Sequence, residues 1–413
     1  MSMNLNDSIR NALMAKTKEK KSKQLRTGCT VLDLTVGGEK DFLGFRAGKI
    51  HNIVGDKSAG KSFLASEIVA RSYSDYGEGL TWNYDDAEEG YTFNSKILYG
   101  FEMMKDKTLR SEKIEDLDVN INRFASGFDN EVGIYMLDSL DGLSNKELEE
   151  RSEKRKRAAE AGRDFKEGTY GTKTAKFLSQ EFFRTKARLL SDTDVSLFFI
   201  SQVRENMDGG MCSPKFIRAG GKALDHYCHT VLWLYPVRKL TKEGRVIGWV
   251  IKAKTEKSKT PRPYRECLFS IYFDYGVDNI GSNLDFLFDL RGDDFNLKAA
   301  ANNIVWDGKE TEKLSTVKAW LEEHHWLEKV REWRKKVDGT NQLSLDAVKR
   351  WVEGDPEKKK AYQSHFGSPE SRDELIARIE EDPKLEKELE RRVIEKWETI
   401  EEKIATKRKR KYS

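Results

Sequence analysis

The chain has 413 residues, 35% of them charged, yet 74 Lys and Arg against 70 Asp and Glu leave a formal net charge of only +4. That length exceeds one comfortable core, so two or three domains are expected, and a total charge so near zero excludes reading partners from anything but its distribution. Scattered cysteines (Cys29, Cys212, Cys228, Cys267) with no C-x-x-C pair, the lack of a long apolar run and an amino terminus without a signal-peptide core argue against a disulfide scaffold or a membrane protein; a cytoplasmic location is expected.

Residues 1–26 read as a polar arm. Ile9, Leu13 and Met14 form a short apolar face ahead of the basic stretch Lys16–Lys23, which suits docking on a neighbouring subunit. From Thr27 to about Tyr275, strand-like runs at Ile50–Val54, Gly79–Tyr84, Val132–Leu137, Ser196–Ile200, Thr230–Leu234 and Gly248–Ile251 alternate with helical stretches. Such alternation predicts an α/β core over 27–290 with a mainly parallel sheet and helices on both faces. Past Leu290 the strand signals vanish. Trp320, Leu321, Leu327, Val330 and Trp333 recur at helical spacing, which predicts a mostly helical domain over 291–406 before a basic tail, 407–413.

The richest segment is Gly55-Asp56-Lys57-Ser58-Ala59-Gly60-Lys61-Ser62, a full G-x-x-x-x-G-K-[ST] loop between the strand 50–54 and a helix whose face carries Phe63, Leu64, Ile68 and Val69. That order suits a nucleoside triphosphate: backbone N–H groups ring the phosphates, Lys61 reaches the terminal ones, and the Ser62 hydroxyl is placed for magnesium. The next strand runs out into Asp85-Asp86-Ala87-Glu88-Glu89, where an acid can aim water at the terminal phosphate; Glu88 is the first candidate and Asp86 the second. Asp138, closing the apolar strand Ile134–Leu137, suits the magnesium shell. Gln202, at the tip of Leu197–Ile200, offers a neutral amide that can sense the terminal phosphate and inform the loop beyond it.

Two loops after these strands suit single-stranded DNA, because they mix basic groups for phosphates with apolar wedges for bases. Residues 151–171 crowd Arg151, Lys154, Arg155, Lys156, Arg157, Arg163 and Lys166 around Phe165 and Tyr170; residues 204–221 combine Arg204, Lys215 and Arg218 with Met211 and Phe216. Cys212, His226, Cys228 and His229 match no usual zinc spacing. Tyr91 and Phe93, just past Glu88, are candidates either for stacking on adenine or for core packing.

From Thr27 to Leu290 the chain resembles the RecA family of strand-exchange ATPases, including its phage-encoded branch. The likeness lies in Thr27-Gly28-Cys29-Thr30-Val31-Leu32-Asp33, the phosphate loop, Asp86-Ala87-Glu88, Leu137-Asp138-Ser139, Ser201-Gln202-Val203-Arg204 and Gly220-Gly221-Lys222-Ala223-Leu224. It implies an ATP- and magnesium-dependent recombinase that forms filaments on single-stranded DNA, pairs it with homologous duplex and hydrolyses ATP in a DNA-dependent way. It also implies Glu88 as the water-activating carboxylate, Gln202 as the phosphate sensor, Gly220 and Gly221 at the close of the second DNA loop, and Lys176 as a DNA contact. Lys257 and Lys259, in a K-x-K before Pro261, are implied to act on a neighbouring subunit's terminal phosphate. Single-strand-binding and mediator proteins are implied partners. The chain departs from the pattern in a longer, more basic first DNA loop, in Arg184 offset from the second helix contact, and in residues 300–370, which read as an insertion ahead of a family-like segment at 372–394. Its tail is basic where the bacterial one is acidic, and is expected to attract duplex. Two other readings share the same core: a hexameric DNA helicase or loading ATPase, and a DNA-coating mediator that barely hydrolyses ATP.

Overall fold

The computed structural model describes residues 23–104, 107–144, 155–157, 160, 181–205, 216–218, 221–307 and 313–408. The fold divides into two compact units, one running to Leu287 and resuming at Lys387, the other Phe288–Glu386. The expected boundary at 290 falls close to this division. The expectation of one helical domain through 406 does not hold, because the chain from Lys387 groups with the first unit.

In the first unit, β1 (Gln24–Leu25) pairs with β2 (Phe45–Arg46) around α1 (Thr30–Gly37). The Thr27–Asp33 motif is structural: the buried Asp33 carboxylate accepts from Thr27 N–H at 2.6 Å, from Thr27 Oγ1 at 2.7 Å and from Arg26 Nε at 3.0 Å. The chain then builds β3 (Ile50–Gly55), α2 (Lys61–Tyr76), β4 (Leu80–Asp86), α3 (Ser95–Tyr99), α4 (Ile114–Ser126), β5 (Val132–Asp138), α5 (Phe183–Thr193), β6 (Val195–Glu205), β7 (Phe216–Arg218) and α6 (Gly221–Tyr227). It continues through β8 (Thr230–Lys242), β9 (Arg245–Ser258), β10 (Glu266–Tyr272), β11 (Gly276–Asp278) and α7 (Asn279–Leu287).

Among the described residues these strands form one sheet in the order β11-β10-β9-β8-β3-β6-β5-β4, with β7 hydrogen-bonded to β6. The run from β8 to β4 is parallel, while β9, β10 and β11 are antiparallel. Every residue of β3 and β5 is buried, as in strands covered on both faces. Each expected strand is present. β8 and β9 run well beyond the segments read from sequence, because their outer halves form an exposed ribbon whose polar residues carry no apolar run. The core beneath the sheet draws on α4, α5 and the strands, with Leu117, Ile121, Phe183, Leu190, Tyr135 and Phe199 at its centre.

In the second unit, β12 (Ile304–Val305) pairs with β13 (Pro369–Glu370), enclosing α8 (Leu314–Glu323), α9 (Leu327–Asp338), α10 (Leu345–Glu353) and α11 (Pro356–Phe366). Trp320, Leu321, Leu327 and Val330 are buried together with Trp351, Tyr362 and Phe366, and Trp333 packs at their margin, as the helical spacing predicts. α12 (Arg372–Glu381) opens with a Ser371–Glu374 capping box. α13 (Pro383–Ile404) follows, and its later turns belong to the first unit: Leu389, Val393 and Trp397 are buried, and Lys396 Nζ donates to the carbonyl oxygens of Phe286 and Leu287 at 2.8 and 3.1 Å. Among the described residues no helix is long and apolar enough to cross a membrane.

Candidate functional site

The carboxyl ends of β3, β4, β5 and β6 bring the sequence candidates to one edge of the sheet. Asp86 lies in register with Asp138, and Gly55 with Gln202. Between β3 and α2 the loop turns back over the helix start, with Gly60 in the left-handed region at φ 80°. A Cβ there would sit 2.8 Å from Ile271 Cδ1, a side-chain end that can shift, so it is the backbone angle that requires glycine.

Lys61 is 9% exposed, and its ammonium donates to the Asp56 carbonyl oxygen at 2.8 Å. Burial draws its pKa down, while the charges of Asp138, Glu88 and Asp56 hold it up. Ser62 Oγ donates to Asp138 Oδ2 at 2.6 Å, and the buried Tyr84 hydroxyl donates to the same oxygen at 2.8 Å. Burial raises the pKa of Asp138 against those two hydrogen bonds, and the neighbouring Glu88 and Asp86 push it the same way. A buried carboxylate among other carboxylates favours a cation. A hydroxyl and a carboxylate side by side are hard oxygen donors, the set that suits magnesium shared with phosphate oxygens. Among the described residues no group of three or more His, Cys, Asp or Glu forms a metal cage. Of the four residues weighed for zinc, His226, Cys228 and His229 are described and Cys212 lies outside the described residues.

Glu88 and Asp86 take different environments. The Asp86 carboxylate accepts the backbone N–H groups of Gly90 (3.2 Å) and Tyr91 (2.9 Å) and so holds the turn that follows β4. Glu88 stands exposed above it. Gln202 Nε2 donates to its two oxygens at 3.0 and 3.2 Å, and the Ser139 hydroxyl donates to Oε1. The Gln202 backbone N–H donates to Asp141 Oδ2 at 3.0 Å. Gly142 admits Glu88, since a Cβ there would lie 2.9 Å from Glu88 Cγ. Asp141 and Gly142 escaped the sequence reading, which named Tyr84 and Ser139 only as members of their strand segments and gave them no role in the site. Ser139, Asp141 and Gly142 follow the predicted strand directly and carried that signal; Tyr84 carried none.

Beside the phosphate loop lies a cavity of about 390 Å³ lined by Ser58–Phe63, Phe93, Trp249, Ile251, Ile271 and Phe273. Phe93 packs against Phe63 at a tilt, with centroids 4.4 Å apart, whereas the Tyr91 hydroxyl bonds Ser66 Oγ at 3.1 Å and its ring packs on Tyr84. Of the two aromatic candidates, Phe93 thus faces the cavity and Tyr91 packs in the helix–turn contact. Trp249 and Phe273 reach the cavity from β9 and just past β10, far along the chain.

Lys257, near the end of β9, donates from Nζ to the carbonyl oxygens of Asp225 and His226 (3.0 Å to the latter), at the C-terminal end of α6. Lys259 is exposed, and its backbone N–H bonds the His229 carbonyl at 2.9 Å. Arg204 and Arg218 lie on the β6–β7 ladder, where Val203 pairs Arg218 and Arg204 pairs Ile217, and Gly221 opens α6. Arg155, Lys156 and Arg157 are exposed and helical. Arg151, Lys154, Arg163, Lys176, Met211, Lys215 and Gly220 lie outside the described residues. On α5, Arg184 is exposed, while its neighbour Lys186 is buried on Asp118 (2.7 Å) and Asn122 (2.6 Å).

The sequence model of the RecA N-terminal domain matches residues 156–278. Protein RecA of Sulfurovum sp. is 27% identical over 300 residues, 70% of this chain and 78% of that protein. Protein RecA of Chlamydia trachomatis serovar L2 is 29% identical over 280 residues, 66% of this chain and 72% of that one. The crystal structure of the RadB recombinase aligns with 62% of this chain and 99% of its own, at 18% identity and a TM-score of 0.42. The family model and the RecA relatives agree with one another: the chain is similar to the RecA N-terminal domain over residues 156–278 and to bacterial RecA proteins over most of its length.

Proposed function

We propose that the protein is an ATP-dependent DNA recombinase that assembles on single-stranded DNA, tests homologous duplex by base pairing and hydrolyses ATP between subunits. The observation that carries this reading is the contact of Gln202 with Glu88, on a strand that runs on through Arg204 towards the 204–221 loop.

In this reading the triphosphate lies along the 55–62 loop with its base in the cavity walled by Phe93, Trp249 and Phe273. Lys61 exchanges the Asp56 carbonyl for terminal phosphate oxygens, and Ser62 and Asp138 hold magnesium. The metal, when bound, neutralises the charge on the phosphate oxygens. Glu88 orients the attacking water. Because Gln202 shares its amide between Glu88 and any terminal phosphate oxygen, nucleotide state reaches β6 and the loop beyond it. Lys257 and Lys259 serve the neighbouring subunit's phosphate, which makes turnover depend on assembly. Pairing, not side chains, supplies sequence specificity, so backbone-directed charge and apolar wedges suffice in the DNA loops.

The test is joint-molecule formation between a labelled single strand and supercoiled duplex. Products that need ATP, magnesium and homology are expected. Single-strand-stimulated hydrolysis without any joints would instead identify a helicase or loader.

A further inference from the structure

We infer that the C-terminal helix α13 positions the lysine-bearing end of β9, and that Glu401 is the residue through which it does so. The inference rests on the reading that Lys257 and Lys259 serve a neighbouring subunit's nucleotide.

β9 ends at Ser258, and the chain turns through Pro261 and Pro263 before re-entering the sheet at Glu266. The neck of this turn is closed: Thr255 N–H donates to the Arg265 carbonyl at 2.9 Å, and Arg265 N–H to Thr255 Oγ1 at 3.0 Å. Inside it, Ser258 Oγ and Thr260 Oγ1 are 2.8 Å apart, and the Lys259 N–H donates to the carbonyl oxygen of His229, the residue before β8. The returning limb carries Arg262 and Arg265, and both face α13. Glu401 is 4% exposed; it accepts two hydrogen bonds from the Arg265 guanidinium and lies 3.7 Å from Arg262 Nε. Arg262 Nη1 also reaches Glu398 at 3.3 Å, and the three-residue spacing of 398 and 401 puts both carboxylates on one face of the helix.

α13 is itself fixed, by Trp397 in the core, by Lys396 on the α7 carbonyls, and by Arg26 on Glu390 at 2.8 Å. Exposed ion pairs form and break with little consequence, but a buried carboxylate between two guanidiniums is a rigid strut, because losing either side strands a charge. The strand end that carries both lysines is therefore held on one side by α13 and on the other by α6, through Lys257. A lysine that must meet a phosphate on another subunit depends on where its strand end sits; misplacement of about 1 Å is enough to cost about a hundredfold in rate.

The test uses the full chain and compares ATP hydrolysis with and without single-stranded DNA. Glu401→Gln is expected to lower DNA-stimulated kcat at least about tenfold while leaving the affinity of the free subunit for a fluorescent ATP analogue unchanged. The charge-exchanged pair Arg265→Glu with Glu401→Arg is expected to recover part of the rate, since Arg262 still faces position 401. Combined with Lys257→Ala and Lys259→Ala, Glu401→Gln is expected to add no further loss. Glu398→Gln, on the accessible side of the same strut, should act in the same direction more weakly and serves if the Glu401 variant does not fold. Wild-type kcat in these carboxylate variants, or losses that multiply with those of the lysines, would overturn the inference alone. Unchanged kcat in the lysine variant would overturn it together with the reading on which it rests.

Discussion

The Gln202 amide donates to both oxygens of Glu88, at 3.0 and 3.2 Å, across 114 residues of sequence. The two groups come from β6 and the turn after β4, so the contact joins the acid next to the glycine loop to the strand that leads towards the 204–221 loop.

From this contact we predict a division of labour. Glu88→Gln keeps ATP binding but lowers kcat by about 10²- to 10⁴-fold, the range of a positioned general base. Gln202→Ala retains basal hydrolysis and loses its stimulation by single-stranded DNA. Steady-state rates with and without DNA, set beside equilibrium nucleotide binding, check both; a Glu88→Gln protein with wild-type kcat would remove Glu88 from the chemistry.

Ser62 and Asp138 share one oxygen contact at 2.6 Å, so their variants should act on metal dependence rather than on the fold. Ser62→Ala and Asp138→Asn are each expected to raise the magnesium concentration needed for half-maximal hydrolysis by about tenfold or more, a loss of about 1.4 kcal/mol in binding. Magnesium titrations at saturating ATP read this directly. An unchanged midpoint in both variants would exclude them as metal ligands.

Trp249 and Phe273 wall the cavity beside the phosphate loop. Alanine at either position is expected to weaken ATP binding by about tenfold through lost aromatic contact, while inhibition by inorganic tripolyphosphate stays as in the wild type. Equal weakening of both ligands would mean that the cavity does not hold the base.

Glu67, on α2, gives a pH dependence. Burial lifts its pKa from 4.5 to about 7, against the Val277 N–H and the charge of Arg71. The native state therefore binds more protons than the unfolded chain between about pH 4.5 and pH 7, and stability falls as pH rises through that window, by roughly 3 kcal/mol at most. Glu67→Gln removes the ionisation and keeps an acceptor for Val277. Denaturant curves are expected to show the variant more stable than wild type at pH 8 and matched to it at pH 5; equal gains at both pH values would assign the effect to packing instead.

The sequence alone determined the order of strands and helices along the chain, the strand–glycine loop–helix that begins at Ile50 and the helical character of the segment that carries Trp320, Leu321, Leu327 and Val330. Those signals are local: a continuous apolar run, a glycine where the backbone must turn left-handed, a 3.6-residue recurrence of Trp and Leu. It also placed Glu88, Asp138 and Gln202 at strand ends, where a parallel sheet gathers them. Tertiary structure decided what no local pattern encodes. It assigned Asp86 to a backbone turn and left Glu88 facing Gln202, a choice made by side-chain direction after the strand ends. It brought Trp249 and Phe273 to a loop some two hundred residues earlier in the chain through the antiparallel extension of the sheet, and it returned α13 to the first unit. Charged residues at 262, 265, 398 and 401 look like ordinary surface in the sequence. Only folding brings opposite charges from distant segments together and buries one of them, and that burial turns them into a strut.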